Sequence, residues 1–301
     1  MEIRVLRYFL AVAREGSVTG AANFLHLTQP TLSRQIKDLE EHLGAKLFVR
    51  RSHNVVLTAE GTRFRQRAEE ILDMVEKTEA EFTLPEGTIS GEIHIGGGET
   101  RAMRLIAGIL HAIRKSYPSI RFQLHSGNAD DITERVDKGL LDFGVIIQPA
   151  DLAKYECIDL PAKDVWGVLM RKDHSLTGTK YIRKIDLFGE LLICSRWTTR
   201  RGASANALMG WFGSDFDKMN VVANYNLIYN AAIMVEEGIG IALALDGLVN
   251  ATSISNLRFK RLEPKVESGL NIIWKKYKVF PPAAQFFLKM VQENFTYTEA
   301  T

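Results

Sequence analysis

From Thr28 to Gly44 the sequence TQPTLSRQIKDLEEHLG places two kinds of residue on opposite sides of one helix. At about 100° per residue, Leu32, Ile36, Leu39 and Leu43 form a stripe to bury, and Pro30, Ser33, Arg34, Lys37 and Glu41 lie opposite it. A face of short hydroxyls and cations fits a nucleic-acid groove. Arg34 offers a fork for guanine, Gln29 an amide for adenine, and Ser33 and Lys37 suit phosphates. Just beyond, KLFVRRSHNVVLT reads as two short strands around a Ser52-His53-Asn54 turn. Arg50 and Arg51 flank its tip, where a basic wing reaches phosphates or a minor groove.

A second group with chemical potential follows a short apolar run further along: Gly97, Gly98, Glu99, Thr100 and Arg101. Backbone N–H groups at a helix N-terminus can hold an anion, and Thr100 can add a hydroxyl.

The elements that position the first group are three short helices. Leu6, Phe9, Leu10 and Ala13 recur at helical spacing over residues 3–15, and Gly16-Ser17 supplies a stop and a new cap. A second helix covers Val18 to Leu25, with small Ala21 and Ala22 on its apolar face, and Thr28 caps the third. The same pattern also suits a small three-helix subdomain with a solvated charged face.

Charge divides the chain more sharply than its total of +2 suggests. Residues 1–67 carry eleven Lys/Arg against six acids; residues 68–90 carry one lysine against seven acids. A basic head therefore precedes an acidic connector and a nearly neutral body.

The run AANFLHLTQPTLSRQIKDLEEHLGAKLFVRR followed by LTAEG resembles the winged helix-turn-helix of LysR-type transcriptional regulators, covering Ala21 to Gly61. Its marks are Ala21/Ala22, Thr28-Gln29-Pro30, Ser33-Arg34/Ile36, Leu39-Glu40, Leu43-Gly44 and Leu47-Phe48/Arg50, with Thr28 where Ser is commoner. The resemblance implies DNA contacts at Gln29, Pro30, Thr31, Ser33 and Arg34 on the recognition helix, and backbone or wing contacts at Lys37, Arg50 and Arg51. It also implies double-stranded DNA, a small-molecule effector, a second copy of the chain (homodimer or homotetramer) and RNA polymerase as partners.

In the connector, Phe64, Ala68, Ile71, Val75, Thr78 and Phe82 are spaced as a heptad seam, and Pro85 with Gly87 ends the helix. A coiled coil explains that stripe, and so does a helix packed on its own domain. The resemblance favours dimerisation, because family members pair two heads through this helix. Arg63, Arg65 and Arg67 at the wing end are further candidates for phosphate contact.

Residues 91–147 alternate strand, helix, strand, helix and strand, which implies a parallel sheet. Strands at Trp166–Met170, Leu191–Cys194, Val221–Ala223 and Ile239–Leu243, with helices at Ser204–Phe212 and Asn226–Glu237, suggest a second lobe. The strand Leu270–Trp274 and the helix after Pro281-Pro282 return to the first lobe, as in the periplasmic-binding-protein-like domain that the family shares. Crossovers near 148–165 and 262–269 form the hinge. Loops at strand C-terminal ends then line a cleft: Gly98, Glu99, Thr100 and Arg101, Ser126 and Asn128, Ile147, Ser195 and Arg196, Tyr225 and Asn226. Glu99 at the mouth disfavours a simple anion unless Arg101 or Arg196 neutralises it. It points instead to an effector with a cationic or hydrogen-bond-donating group, such as an amino compound. Alternatively, Glu99 only favours the positive end of a helix dipole.

The fold class is thus α+β multidomain: a winged helix-turn-helix (1–58), a coiled-coil linker helix (59–89) and a two-lobed α/β effector domain (90–301). Its first lobe takes 90–161 and 268–301, its second 162–267. Other signals point away from catalysis. Position 101, where a dinucleotide fingerprint wants its third glycine, is Arg, and Gly238-Ile239-Gly240 has Leu243 at that place. No H-E-x-x-H, phosphate-loop lysine or G-x-S-x-G occurs, so no cofactor, metal or enzymatic activity is expected. Cys157 and Cys194 make neither a disulfide framework nor a metal pair, although Cys194 places a thiol beside Ser195. The longest apolar run, Ile239 to Leu245, is far short of the ~20 residues of a bilayer span, and a cytoplasmic protein is expected. The competing reading is a cytoplasmic solute-binding or catalytic α/β protein whose N-terminal helices dock a protein partner.

Overall fold

The computed structural model describes residues 1–50, 54–82, 89–148, 152–196, 207–249 and 255–295. They form two units, Met1–Leu84 and Pro85–Thr301, each with its own core.

In the first unit, α1 (Ile3–Glu15), α2 (Val18–Phe24) and α3 (Gln29–Leu43) precede an antiparallel pair, β1 (Phe48–Arg50) and β2 (Val55–Leu57), and a long helix, α4 (Ala59–Phe82). Gly16 and Gly44 end α1 and α3 in the left-handed conformation, the usual glycine stop. Ser17 caps α2 through the Gly20 N–H at 3.2 Å. Thr28 occupies the cap position of α3, but its hydroxyl pairs with the Thr31 hydroxyl at 2.8 Å and caps no backbone N–H. The tip of the wing, with Arg51 and the Ser52-His53 turn, lies outside the described residues. The core gathers Leu6, Phe9, Val12, Ala21, Leu32 and Leu39, and the Phe9 ring meets Phe48 at 5.1 Å and Phe64 at 4.8 Å. Small Ala21 and Ala22 let α2 sit close against its neighbours.

The second unit is one sheet system that changes lobes midway. Its elements are β3 (Gly91–Gly97), α5 (Met103–Ser116), β4 (Ile120–Ser126), α6 (Ala129–Asp137), β5 (Phe143–Ile147), β6 (Tyr155–Arg171), β7 (Ile182–Arg183), β8 (Leu191–Ser195), α7 (Ala207–Phe212), β9 (Asn220–Tyr225), α8 (Ile228–Glu236), β10 (Ile241–Leu245), β11 (Leu257–Glu263), β12 (Glu267–Lys275) and α9 (Pro282–Phe295). The first lobe orders its strands β4-β3-β5-β12-β6, with β3 parallel to β4 and β5 as the alternation implies, and β12 antiparallel. The second lobe runs β6-β10-β8-β9, with β11 on the other side of β6 and β7 beyond it.

The chain crosses between the lobes in the two segments expected of the hinge, and both are strands there. One 17-residue strand, β6, serves both sheets, and β12 pairs with it through the crossing, Ser268 opposite Asp164 and Glu267 opposite Val165. Strand β11 was not anticipated. Gly96 explains part of the glycine run at the end of β3. A methyl group there would lie 2.4 Å from Leu141 and 2.7 Å from Ile132, so the residue is small because α6 and its following turn press on β3.

Candidate functional site

The head presents α3 as its exposed ridge. Leu32, Ile36 and Leu39 are buried, whereas Gln29, Pro30, Thr31, Arg34 and Lys37 are exposed and Ser33 is half-buried. Arg34 is 82% exposed and stands 3.9 Å from Asp38; Lys37 stands 3.3 Å from Glu41. Exposed pairs of this kind hold their partners weakly, so both cations remain transferable to phosphate or base. The backbone of Arg50 lies in β1.

What fixes this ridge against the wing is Glu40, which the sequence motif contained without a stated role. Its side chain is buried; one oxygen accepts the N–H groups of Leu47 at 2.9 Å and Phe48 at 3.1 Å, and the other takes Lys46 Nζ at 2.7 Å. Burial alone would raise its pKa, but the Lys46 ammonium and the two N–H groups outweigh that and hold the carboxyl below its ordinary range. Gly61 completes the joint. A Cβ at that position would sit 2.0 Å from the Leu47 carbonyl oxygen, so only glycine lets the first turn of α4 lie on the strand leading to the wing.

The heptad seam of α4 divides. Ala68 is wholly buried in the head's own core and Phe64 packs on that core, joined by Leu72, which the seam had omitted. Ala68 is therefore unavailable to a second chain: the same three-to-four spacing serves intramolecular packing here. Further along, Ile71 is exposed and Val75 half-buried. The Phe82 side chain lies outside the described residues. Arg65 and Arg67 pair with Glu69 and Glu70, both at 2.8 Å.

In the body, Gly98, Glu99, Asn128, Ile147, Ser195, Tyr225 and Asn226 line one chamber between the lobes. The sequence reading missed Trp166, Ile228, Leu245 and Leu248, which share its wall. The chamber, partly open to solvent, offers about 90 Å³. Tyr225 donates to the Leu243 carbonyl at 2.7 Å, and burial pushes its hydroxyl pKa upward. Asn128 caps α6 by accepting the Asp131 N–H at 2.9 Å.

Several N–H groups at the anion cradle expected over Gly97–Arg101 are already engaged, that of Arg101 by Asp164. The N–H groups of Gly98, Ala102, Met103 and Arg104 are already bonded to Val145 O, Thr100 Oγ1, Thr100 O and Arg101 O. Thr100 is buried and turned away from the chamber, with its hydroxyl also directed at Asp164. Arg101, Thr100 and Ser126 line an adjoining open groove, where the Arg101 side chain lies over Gly247 of the second lobe. The Arg196 side chain is exposed, and its backbone N–H is bonded to the Tyr225 carbonyl at 2.8 Å.

Two buried polar groups sit at the crossing. Trp166 donates its ring N–H to Ser268 at 2.9 Å, while Asp164, 4% exposed, has one carboxylate oxygen with no partner among the described residues. Burial, reinforced by Asp246, raises the Asp164 pKa despite Thr100 and the Arg101 N–H. Cys194 is buried in an apolar core and its pKa is pushed up to about 12, the reverse of a reactive thiolate. Among the described residues no three side chains group as metal ligands, and no helix is long and apolar enough to cross a membrane.

Residues 3–62 match the bacterial regulatory helix-turn-helix protein, lysR family, and residues 86–296 match the LysR substrate binding domain. The chain belongs to the LysR family. It is a transcription regulator that binds DNA and carries an effector-binding domain, and not an enzyme. The Hca operon transcriptional activator HcaR of Escherichia coli (strain K12) is 31% identical over 297 residues, covering 98% of each chain. The HTH-type regulator YvbU of Bacillus subtilis (strain 168) is 27% identical over 301 residues, covering 98% of this regulator and 99% of that one. Among solved structures, CbnR in complex with its target DNA shares the fold at a TM-score of 0.74 and 24% identity, covering 97% of this chain and 99% of CbnR. Full-length BenM gives a TM-score of 0.53 at 26% identity, covering 99% and 100%.

Proposed function

We propose that this LysR-family regulator reads a DNA site of dyad character with two or more copies of its head, and that a small effector held between the lobes shifts the population among assembly geometries. The observation that carries the reading is the exposed ridge of α3, clamped to the wing by Glu40. Gln29, Pro30, Thr31 and Arg34 then face base edges in a major groove, while Ser33, Lys37, Arg50 and Arg51 contact backbone or minor groove. Exposed Ile71 and half-buried Val75 on α4 are offered to a second copy, with Phe82 further along the same stripe. The chamber lined by Glu99, Asn128, Ser195, Tyr225 and Asn226 is the effector site.

A gel shift on DNA upstream of the regulator's own or a neighbouring gene tests the head. Arg34→Ala is expected to weaken specific binding by about 1–3 kcal/mol, roughly five- to 150-fold, and to relax base preference at one position in each half-site. If the variant instead loses affinity equally for all sequences and only flattens the salt dependence, Arg34 contacts phosphate and does not read a base.

A further inference from the structure

Glu99 is the charged group on the chamber wall; among the described residues no lysine, arginine or histidine lines it. The residue leaves the first lobe after β3, and its Oε2 accepts the N–H of Ile228, the first residue of α8 in the second lobe. Helix α8 has no cap of its own, because Leu227 at the capping position carries no acceptor. The first lobe thus caps a helix of the second, and Glu99 fills the place at that N-terminus which a bound anion would take. An anionic ligand would meet like charge with no cation on the described walls to offset it. A carboxylate has a second oxygen, so a ligand N–H can bond Glu99 while Ile228 stays bonded. Ile147, Trp166, Leu245 and Leu248 supply an apolar lining, and the space of about 90 Å³ suits a ligand body of roughly one small ring.

We propose that the chamber takes a small molecule carrying one protonated nitrogen on an apolar body, an alkyl- or arylalkylammonium or an amidine, and that Glu99 discriminates against carboxylates of the same size. The proposal rests on the chamber being the effector site.

Calorimetry on the full-length chain with benzylamine, benzyl alcohol and benzoate, three probes of nearly equal size, tests the charge preference. Benzylamine is expected to bind, the alcohol more weakly and benzoate least. Glu99→Gln keeps an oxygen for Ile228 and removes only the charge, so the chain stays folded and its affinity for benzylamine falls roughly tenfold or more. Leu248→Trp fills the chamber and is expected to abolish binding of every probe. Benzoate binding as well as benzylamine, Glu99→Gln binding benzylamine within twofold of the parent, no binding of benzylamine at millimolar concentration, or binding that survives Leu248→Trp each overturn the proposal. If the amine preference holds while operator gel shifts ignore benzylamine, the coupling of chamber to DNA fails and the charge preference stands.

Discussion

The reading face of the head comes from one 15-residue helix, whereas the chamber of the body draws its wall from loops and strands between Gly98 and Leu248. The face is set by local periodicity and a single clamp, Glu40; the chamber exists only while two lobes hold their relation. On the proposed reading, a head substitution on the exposed ridge therefore changes contacts with DNA and little else. A substitution in the chamber wall acts on ligand and lobe geometry together, because Glu99 both lines the space and bonds the opposite lobe.

Removing the largest shared side chain of the head separates the two regions most strongly. Phe9→Ala takes away a wholly buried ring that contacts Phe48 and Phe64 and is expected to cost about 3–5 kcal/mol. Differential scanning calorimetry should show the head transition falling while the body transition stays. A common shift of both would mean that the two units unfold as one.

Acid is expected to move the two regions in opposite directions. Glu40 has a lowered pKa in the folded head, so its contribution is complete above the unfolded value near 4.5 and is lost as pH falls through the folded value. Asp164 has a raised pKa in the folded body, so its penalty is complete above that folded value and is relieved as pH falls through it towards 3.8. Glu40→Gln should cost the head about 1–2 kcal/mol at neutral pH and flatten its acid response. Asp164→Asn should raise the body transition at neutral pH by about 1 kcal/mol and remove the acid gain. Thermal melts from pH 7 down to pH 3 check both signs; acid slopes that ran the same way in the head and the body of the unsubstituted chain, or that either variant left unchanged, would break the contrast.

Those differences also mark how far the sequence could be read. Helix ends at Gly16 and Gly44, the exposed cations and most of the buried stripe of α3 are local patterns that one chain segment shows; Leu43, placed in that stripe by spacing, is exposed, because it sits in the last turn beyond the packed core. Glu40, in contrast, is visible as half of a Leu-Glu pair, but its bonds to Leu47 and Phe48 need the folded wing. The heptad in α4 was ambiguous because intramolecular packing uses the same spacing, and Ala68 went to the head core. In the body the loop rule placed seven of its eleven named residues on the chamber wall. It failed for Thr100 and Arg101, whose polar groups are taken by Asp164, Ala102 and the surface of Gly247. The first half of β6, YECIDLPAKD, is too charged to announce a strand; only its pairing with β12 makes it one. Nothing local could show that Glu99 caps a helix beginning 129 residues later.

The smallest predicted effect lies in the turn of the head. His26 is exposed with φ +54°, a left-handed conformation that a histidine holds at a cost. His26→Gly should stabilise the head by about 0.5 kcal/mol and leave the body untouched, as chemical denaturation with separate probes for each unit would show. A loss of stability instead would mean that the imidazole contributes more than the backbone cost it carries.

Strands β6 and β12 cross between the lobes side by side, joined by the Trp166 N–H to the Val266 carbonyl at 2.9 Å and by the facing pairs Val165–Glu267, Asp164–Ser268 and Lys163–Gly269. A two-strand ribbon resists sliding and stretching far more than it resists torsion, since either strand can shift along the other only by giving up ladder bonds. The body behaves as two plates on a short torsion spring. A small rotation stored in these few residues is magnified by the lever arm of each plate, so a modest change at the chamber becomes a larger displacement at the far edge of a lobe.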